Sequence, residues 1–130
     1  MKEVTVKRSL WTGEDGYLWG EDKDHPNENG LFCSGTGRMC CLGFVCEKAG
    51  ISKHEMEGNG MPEDLFSFLR KGDVLDVWGL VEDSGEEVTN SDLSCRAAAI
   101  NDDREIAQKQ KEEMLTALFA EHEIKLTFED

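Results

Sequence analysis

The stretch that most constrains this chain is Gly37–Gly50, GRMCCLGFVCEKAG. Gly35 and Gly37 supply a turn ahead of it, and Gly50 stands where a left-handed residue can close a helix. Met39, Leu42, Cys46 and Ala49 recur at helical spacing, and Val45 widens their stripe. Cys40 and Phe44 project off that stripe, so the segment is apolar nearly all round. A helix with no polar face belongs in an interior. The spacing therefore predicts a buried helix at 38–49, with the rest of the chain folded around it.

The flanks supply what such a helix needs to pack against. Val4 and Val6 alternate with Thr5 and Lys7, the pattern of a half-buried strand, and Leu10 and Trp11 extend its apolar content. Ile124, Leu126 and Phe128 alternate in the same way at the other end, and the two strands are matched for edge-to-edge pairing. Residues 12–30 are dense in Gly, Asp, Glu and Asn and predict a mobile acidic loop. Met61–Gly72 reads as a helix, with Pro62 in its first position, Glu63 and Asp64 at its positive end and Arg70 and Lys71 at the other. Asp73–Val81 reads as extended and Glu82–Glu87 as an acidic turn. A helix over Asp92–Ile100 is capped by Asn90 or Ser91. A last helix over 103–121 buries Ile106, Ala107, Met114, Ala117 and Leu118, leaving Leu115 and Phe119 for a second contact surface.

These elements make an α+β fold: a small antiparallel or mixed sheet of the N- and C-terminal strands, packed with about four helices around the buried one. At 130 residues the chain is one domain, 1–130, long enough for a real core. The opening residues show no signal peptide, and no stretch approaches the roughly 20 apolar residues that span a bilayer. Five cysteines, two of them adjacent, do not form a secreted disulfide framework, so free thiols in a cytoplasmic setting are expected.

Two chemistries are available to the thiols. Cys33, Cys40, Cys41 and Cys46 are close enough in sequence to suggest zinc, but their intervals are not the paired two-to-four-residue spacing of a structural site. Cys40 in the first turn of a helix would gain acidity from the unpaired N–H groups there, as a nucleophile or redox centre requires. It would also need a base, and His25, His54 and His122 stand in no context that marks one. The plainer expectation is that the cysteines are small apolar core residues, with no cofactor. Asn101, Asp102 and Asp103 offer oxygens to a hard cation, and helix capping accounts for the same residues.

The charge points elsewhere. With 28 acidic and 14 basic residues the net charge is −14, which repels nucleic-acid phosphates and anionic lipids and favours partners with positive patches. Acidic side chains cluster in the predicted loops, and the candidate partner-binding residues are Asp22, Asp24, Glu82, Asp83, Glu86 and Glu87. Carboxylates spaced along a surface can imitate a phosphate backbone and occupy a nucleic-acid channel. The expected partner is a basic surface of another protein, with no direct contact to nucleic acid or membrane.

The sequence also carries a resemblance. A strand ending in tryptophan (Val4–Trp11), a G-[KR]-M-C-C-L-G-F segment (Gly37–Phe44), an I/V-N-D-D turn (Ile100–Asp103) and a closing helix and strand (Leu115–Phe128) follow in order. In this the chain resembles a group of small, mostly uncharacterised proteins encoded by bacteriophages and prophages. It departs from them in an enlarged acidic segment at 13–30. The resemblance implies an accessory protein acting inside a bacterial host. It implies no activity, cofactor or catalytic residue.

Overall fold

The computed structural model describes residues 2–13, 31–32, 37–69, 77–83, 87–103 and 105–130, with the side chains of 66–69 and 83 outside that description. The fold is α+β. Its described elements are β1 (Lys2–Lys7), a 3-10 turn (Arg8–Leu10), α1 (Cys41–Lys48), α2 (Lys53–Met56), α3 (Pro62–Leu69), β2 (Val81–Asp83), β3 (Val88–Asn90), α4 (Asp92–Asp102), α5 (Gln108–Ala120) and β4 (Ile124–Glu129).

The two terminal strands pair with each other, as their matched alternation suggests, and they do so in parallel, from Lys2 opposite Ile124 to Lys7 opposite Glu129. Parallel neighbours cannot be joined by a tight turn. The chain between them is one long crossover, and every helix lies within it. Val4, Val6, Ile124 and Leu126 face the core, while Glu3, Thr5, Lys7, Lys125, Thr127 and Glu129 face outward. Glu123 turns the chain from α5 into β4 with φ of 62°, and its carbonyl accepts from the Lys2 N–H at 3.3 Å.

The central helix is shorter than its apolar pattern suggests. It begins at Cys41, with Cys40 in extended conformation as its N-cap, because Met39 is tied into a parallel bridge with Trp11. Met39 N–H donates to the Leu10 carbonyl at 2.8 Å, and Thr12 N–H donates to the Met39 carbonyl at 3.0 Å. Gly37, at φ of 74°, makes the turn into this bridge. From Cys41 to Cys46 every residue is buried, as an all-round apolar helix requires. Gly43 sits where the backbone of Leu31 crosses α1, and a Cβ there would collide with the Leu31 carbonyl oxygen and crowd Met39.

Several boundaries differ from the sequence reading for identifiable reasons. Of the extended stretch expected at 73–81, residues 73–76 lie outside the described residues; Gly79 takes φ of 73° in a turn, and the described strand begins at Val81. Of the acidic turn expected at 82–87, Glu82 and Asp83 belong instead to β2, antiparallel to β3, and 84–86 lie outside the described residues. Ser91 caps α4, its Oγ accepting from Ser94 N–H at 3.2 Å. Asn90 instead joins α3, accepting from Glu63 N–H at 2.8 Å and donating to the Glu63 carboxylate at 3.1 Å. The last helix begins at Gln108, and its buried face is Lys111, Leu115, Leu118 and Phe119; Ala107, Met114 and Ala117 are exposed. Leu118 is buried as expected, but Leu115 and Phe119 take the inward positions expected of Met114 and Ala117. The loop expected over 12–30 lies outside the described residues from 14 onward.

Arg8 ties the sheet to α5 and to the terminus. Its guanidinium grips the Glu112 carboxylate through two bonds of 3.0 and 2.8 Å and reaches Asp130 at 2.9 Å. That fork holds the Glu112 carboxyl below the usual carboxylate range.

Replacing Gly43 by alanine tests the Leu31–α1 crossing. Alanine is the better helix former by up to about 1 kcal/mol, yet its methyl meets backbone that no rotamer change can move. The variant is expected to lose about 1–3 kcal/mol net in urea unfolding.

Candidate functional site

The cysteines of the central segment lie in the interior. Cys40 is 4% exposed, and Cys41 and Cys46 are fully buried; Cys95, on α4, is exposed. Burial pushes the Cys40 thiol up to about 12, with the Asp102 charge adding to the rise and the N–H groups of the first turn opposing it. Burial likewise raises Cys41 and Cys46. A capping position at a helix start favours a thiolate, but here desolvation is the larger effect. His54 and His122 both lie on the surface, so neither accompanies Cys40 into the core. His25 and Cys33 are outside the described residues. Among the described residues no three His, Cys, Asp or Glu side chains gather as a metal ion would require.

What stands beside Cys40 and Cys41 is a buried polar junction at Asn101, the last turn of α4. Its Oδ1 accepts from the Trp11 indole N–H at 2.6 Å and from Cys41 N–H at 3.0 Å. Its Nδ2 donates to Thr12 Oγ1 and to Asp102 Oδ1, each at 3.0 Å. A side-chain amide offers two acceptor and two donor positions, and all four are filled. The Asn101 carbonyl in turn accepts from Lys111 Nζ at 2.9 Å, which explains why a lysine is buried on α5. Burial pushes the Asp102 carboxyl up, while the Asn101 amide and the Lys111 ammonium pull it back. Asn101 therefore serves neither as a local cap nor as a cation ligand. It caps α1 from 60 residues away, supplying an acceptor for the first N–H of a helix whose own N-cap is a cysteine without a side-chain bond. Asp103 does act locally, accepting from Glu105 N–H at 2.9 Å.

This junction gathers the stretches that set the sequence apart. Trp11 is fully buried between Asn101 and the Phe128 ring, whose centroid lies 4.9 Å away. Arg38 donates to the Trp11 carbonyl at 2.9 Å. The arrangement holds the segment after β1, the central helix and the last turn of α4 together.

The acidic candidates are placed only in part. Glu82, on β2 opposite Thr89, and Glu87, just before β3, are both exposed. Asp83 lies opposite Val88 on the same two-stranded ribbon. Asp22, Asp24 and Glu86 lie outside the described residues. Two open grooves occur among the described residues, one of about 590 Å³ between β4 and α5 and one of about 390 Å³ between β1 and α1. Neither was visible in the sequence, because each is made by a strand edge and a helix distant from it or reversed upon it. No helix among the described residues is long and apolar enough to cross a membrane. Comparison with protein-family models, with curated proteins and with solved structures finds no match.

Two outcomes follow. Asn101→Ala strands the Trp11 and Cys41 N–H groups in the core and is expected to cost about 2–5 kcal/mol in urea unfolding. With iodoacetamide at neutral pH, Cys95 is expected to react rapidly while Cys40, Cys41 and Cys46 react only on unfolding, as peptide mapping would report.

Proposed function

We propose that this chain is a non-enzymatic accessory protein of phage or prophage origin that acts in the bacterial cytoplasm by docking its acidic exterior on a basic site of a host protein. The host protein would be a nucleic-acid-handling or defence factor, with carboxylates standing in for a phosphate backbone. The observation that carries the reading is the division of the molecule. The thiols of the distinctive segment are desolvated and engaged in packing, whereas a net charge of −14 is spread over exposed side chains such as Glu57, Glu82, Glu87 and Glu113. A thiol enzyme would need the reverse, a low-pKa sulfur open to substrate beside an oriented base.

The β2–β3 ribbon supports a docking role in particular. It projects Glu82 and Glu87 from a rigid base, since Ser91 N–H and Ser94 Oγ both donate to the Leu80 carbonyl, at 3.0 and 2.7 Å. A ribbon anchored at its base has less backbone to order when it meets a basic patch, which lowers the entropic cost of association. Electrostatic steering makes such binding fast and sensitive to ionic strength.

The expected result is capture of a host protein from lysate near 0.01 M ionic strength and its release near 1 M, where the screening length falls from roughly 30 to 3 Å. The double variant Glu82→Lys/Glu87→Lys should weaken capture at least about tenfold. Absence of any low-salt partner, or retention indifferent to salt, refutes the reading.

A further inference from the structure

The β1–β4 sheet is two strands wide, a size that is marginal without further strands or a covering layer. Each strand of a parallel pair turns about half of its backbone N–H and C=O groups toward its neighbour and the remainder away. Among the described residues β4 has no partner on its second edge. The groove of about 590 Å³ lies between β4 and α5, lined by Leu126, Thr127 and Phe128 of the strand and by Thr116, Ala117 and Ala120 of the helix, with the charged Arg8, Glu112 and Glu113 also on its wall. Ala117 and Ala120 are exposed there, and Met114 on the same helix is 37% exposed. Phe128 is only partly covered. An open strand edge beside a small-residue apolar helix face invites a further strand.

The sequence of β4 says which strand. We propose that β4 pairs antiparallel with β4 of a second copy of this chain, about a two-fold axis at Thr127, to give a four-stranded sheet. In that register Lys125 faces Glu129 of the second copy, Leu126 faces its Phe128, and Thr127 faces Thr127. The parity is right, because residues whose numbers sum to an even value share a face in this pairing. The pairs are reciprocal, as a two-fold interface demands.

The charges extend the match beyond the two central strands. Within one copy Glu3 lies opposite Lys125 and Lys7 opposite Glu129. The outer face of the assembled sheet then carries the row Glu3, Lys125, Glu129 of the second copy, Lys7 of the second copy, with signs alternating at every step. The symmetric row runs the other way. On the inner face Val4, Leu126 and the second copy's Phe128 and Val6 form a continuous apolar row. β4 carries one lysine and one glutamate, so the strand itself is neutral although the chain as a whole carries −14. The edge of β1 has a similar residue pattern, but the helix beside it offers exposed Glu47 and Lys48, whereas α5 offers exposed Ala117 and Ala120 alongside its Glu112 and Glu113, which favours the β4 edge.

Sedimentation velocity of the full chain up to about 1 mM should show a monomer–dimer equilibrium. Lys125→Glu alone and Glu129→Lys alone each turn two attractive cross-strand pairs into repulsive ones, and each should weaken self-association at least about tenfold. Mixing the two variants restores both pairs, so a heterodimer should form from two monomeric preparations. Effects confined to one copy cannot be repaired by mixing. Ala117→Arg, at an exposed helical position, should also weaken the dimer while preserving the circular dichroism spectrum. A wild-type chain that remains monomeric, variants that dimerise as well as wild type, or a mixture that stays monomeric would each overturn the proposal. If the charge variants lose their fold, retention of the dimer in Ala117→Arg overturns it instead.

Discussion

One fully bonded amide holds this fold together. Asn101 takes the first N–H of the central helix, the indole of Trp11, the hydroxyl of Thr12 and the neighbouring Asp102 carboxylate, while its carbonyl receives Lys111. Through it the end of β1, the start of α1, the end of α4 and the inner face of α5 meet at one point. A buried amide with even one position unfilled would be a liability, because the orphaned group bears its full desolvation cost in a low-dielectric interior. With all four filled, the junction fixes how those elements are registered against each other. Apolar contacts alone leave that registry looser.

The rest of the core follows from that registry. Trp11 can be buried because its N–H is satisfied, and its ring then packs on Phe128 and beneath Gly13, where any side chain would strike it. Lys111 can be buried because its ammonium has the Asn101 carbonyl, while its aliphatic stem covers apolar surface. Cys40 and Cys41 fill space beside the junction as small, soft groups. Their desolvation, with Asp102 nearby, keeps them protonated. The same junction that makes the cysteine segment stable therefore makes it chemically quiet.

Periodicity revealed the elements whose signals are local. The alternation at Val4–Val6 and Ile124–Phe128, the proline and carboxylates opening α3, and the unbroken apolar run of α1 all state their own conformation. What could not be read were the long-range settlements. The start of α1 at Cys41 depends on Met39 pairing with Trp11, and its cap comes from a residue 60 positions away. Asn101 in the sequence has the look of a helix-terminating residue, and nothing nearby marks it as a core hub. On α5 the heptad-like spacing offered two faces, Met114 with Ala117 or Leu115 with Phe119; only the position of β4 and the reach of Lys111 decide between them. The acidic candidates were legible as charge, but Glu82 and Asp83, expected in a turn, lie on a strand.

Charge is distributed unevenly between the sheet and the rest of the exterior. β1 and β4 together carry Lys2, Lys7 and Lys125 against Glu3 and Glu129, a balance of +1 on two strands of a chain whose total is −14. The negative excess therefore lies off the sheet. An edge that must meet its own copy has to be locally neutral, since like charges opposite one another in a ladder repel. A surface that must find a basic partner has to be strongly one-signed. Segregating the two would let the proposed self-association proceed without diluting the acidic field. The proposed dimer would carry two acidic ribbons on one scaffold, so that engagement of the first would raise the effective concentration of the second.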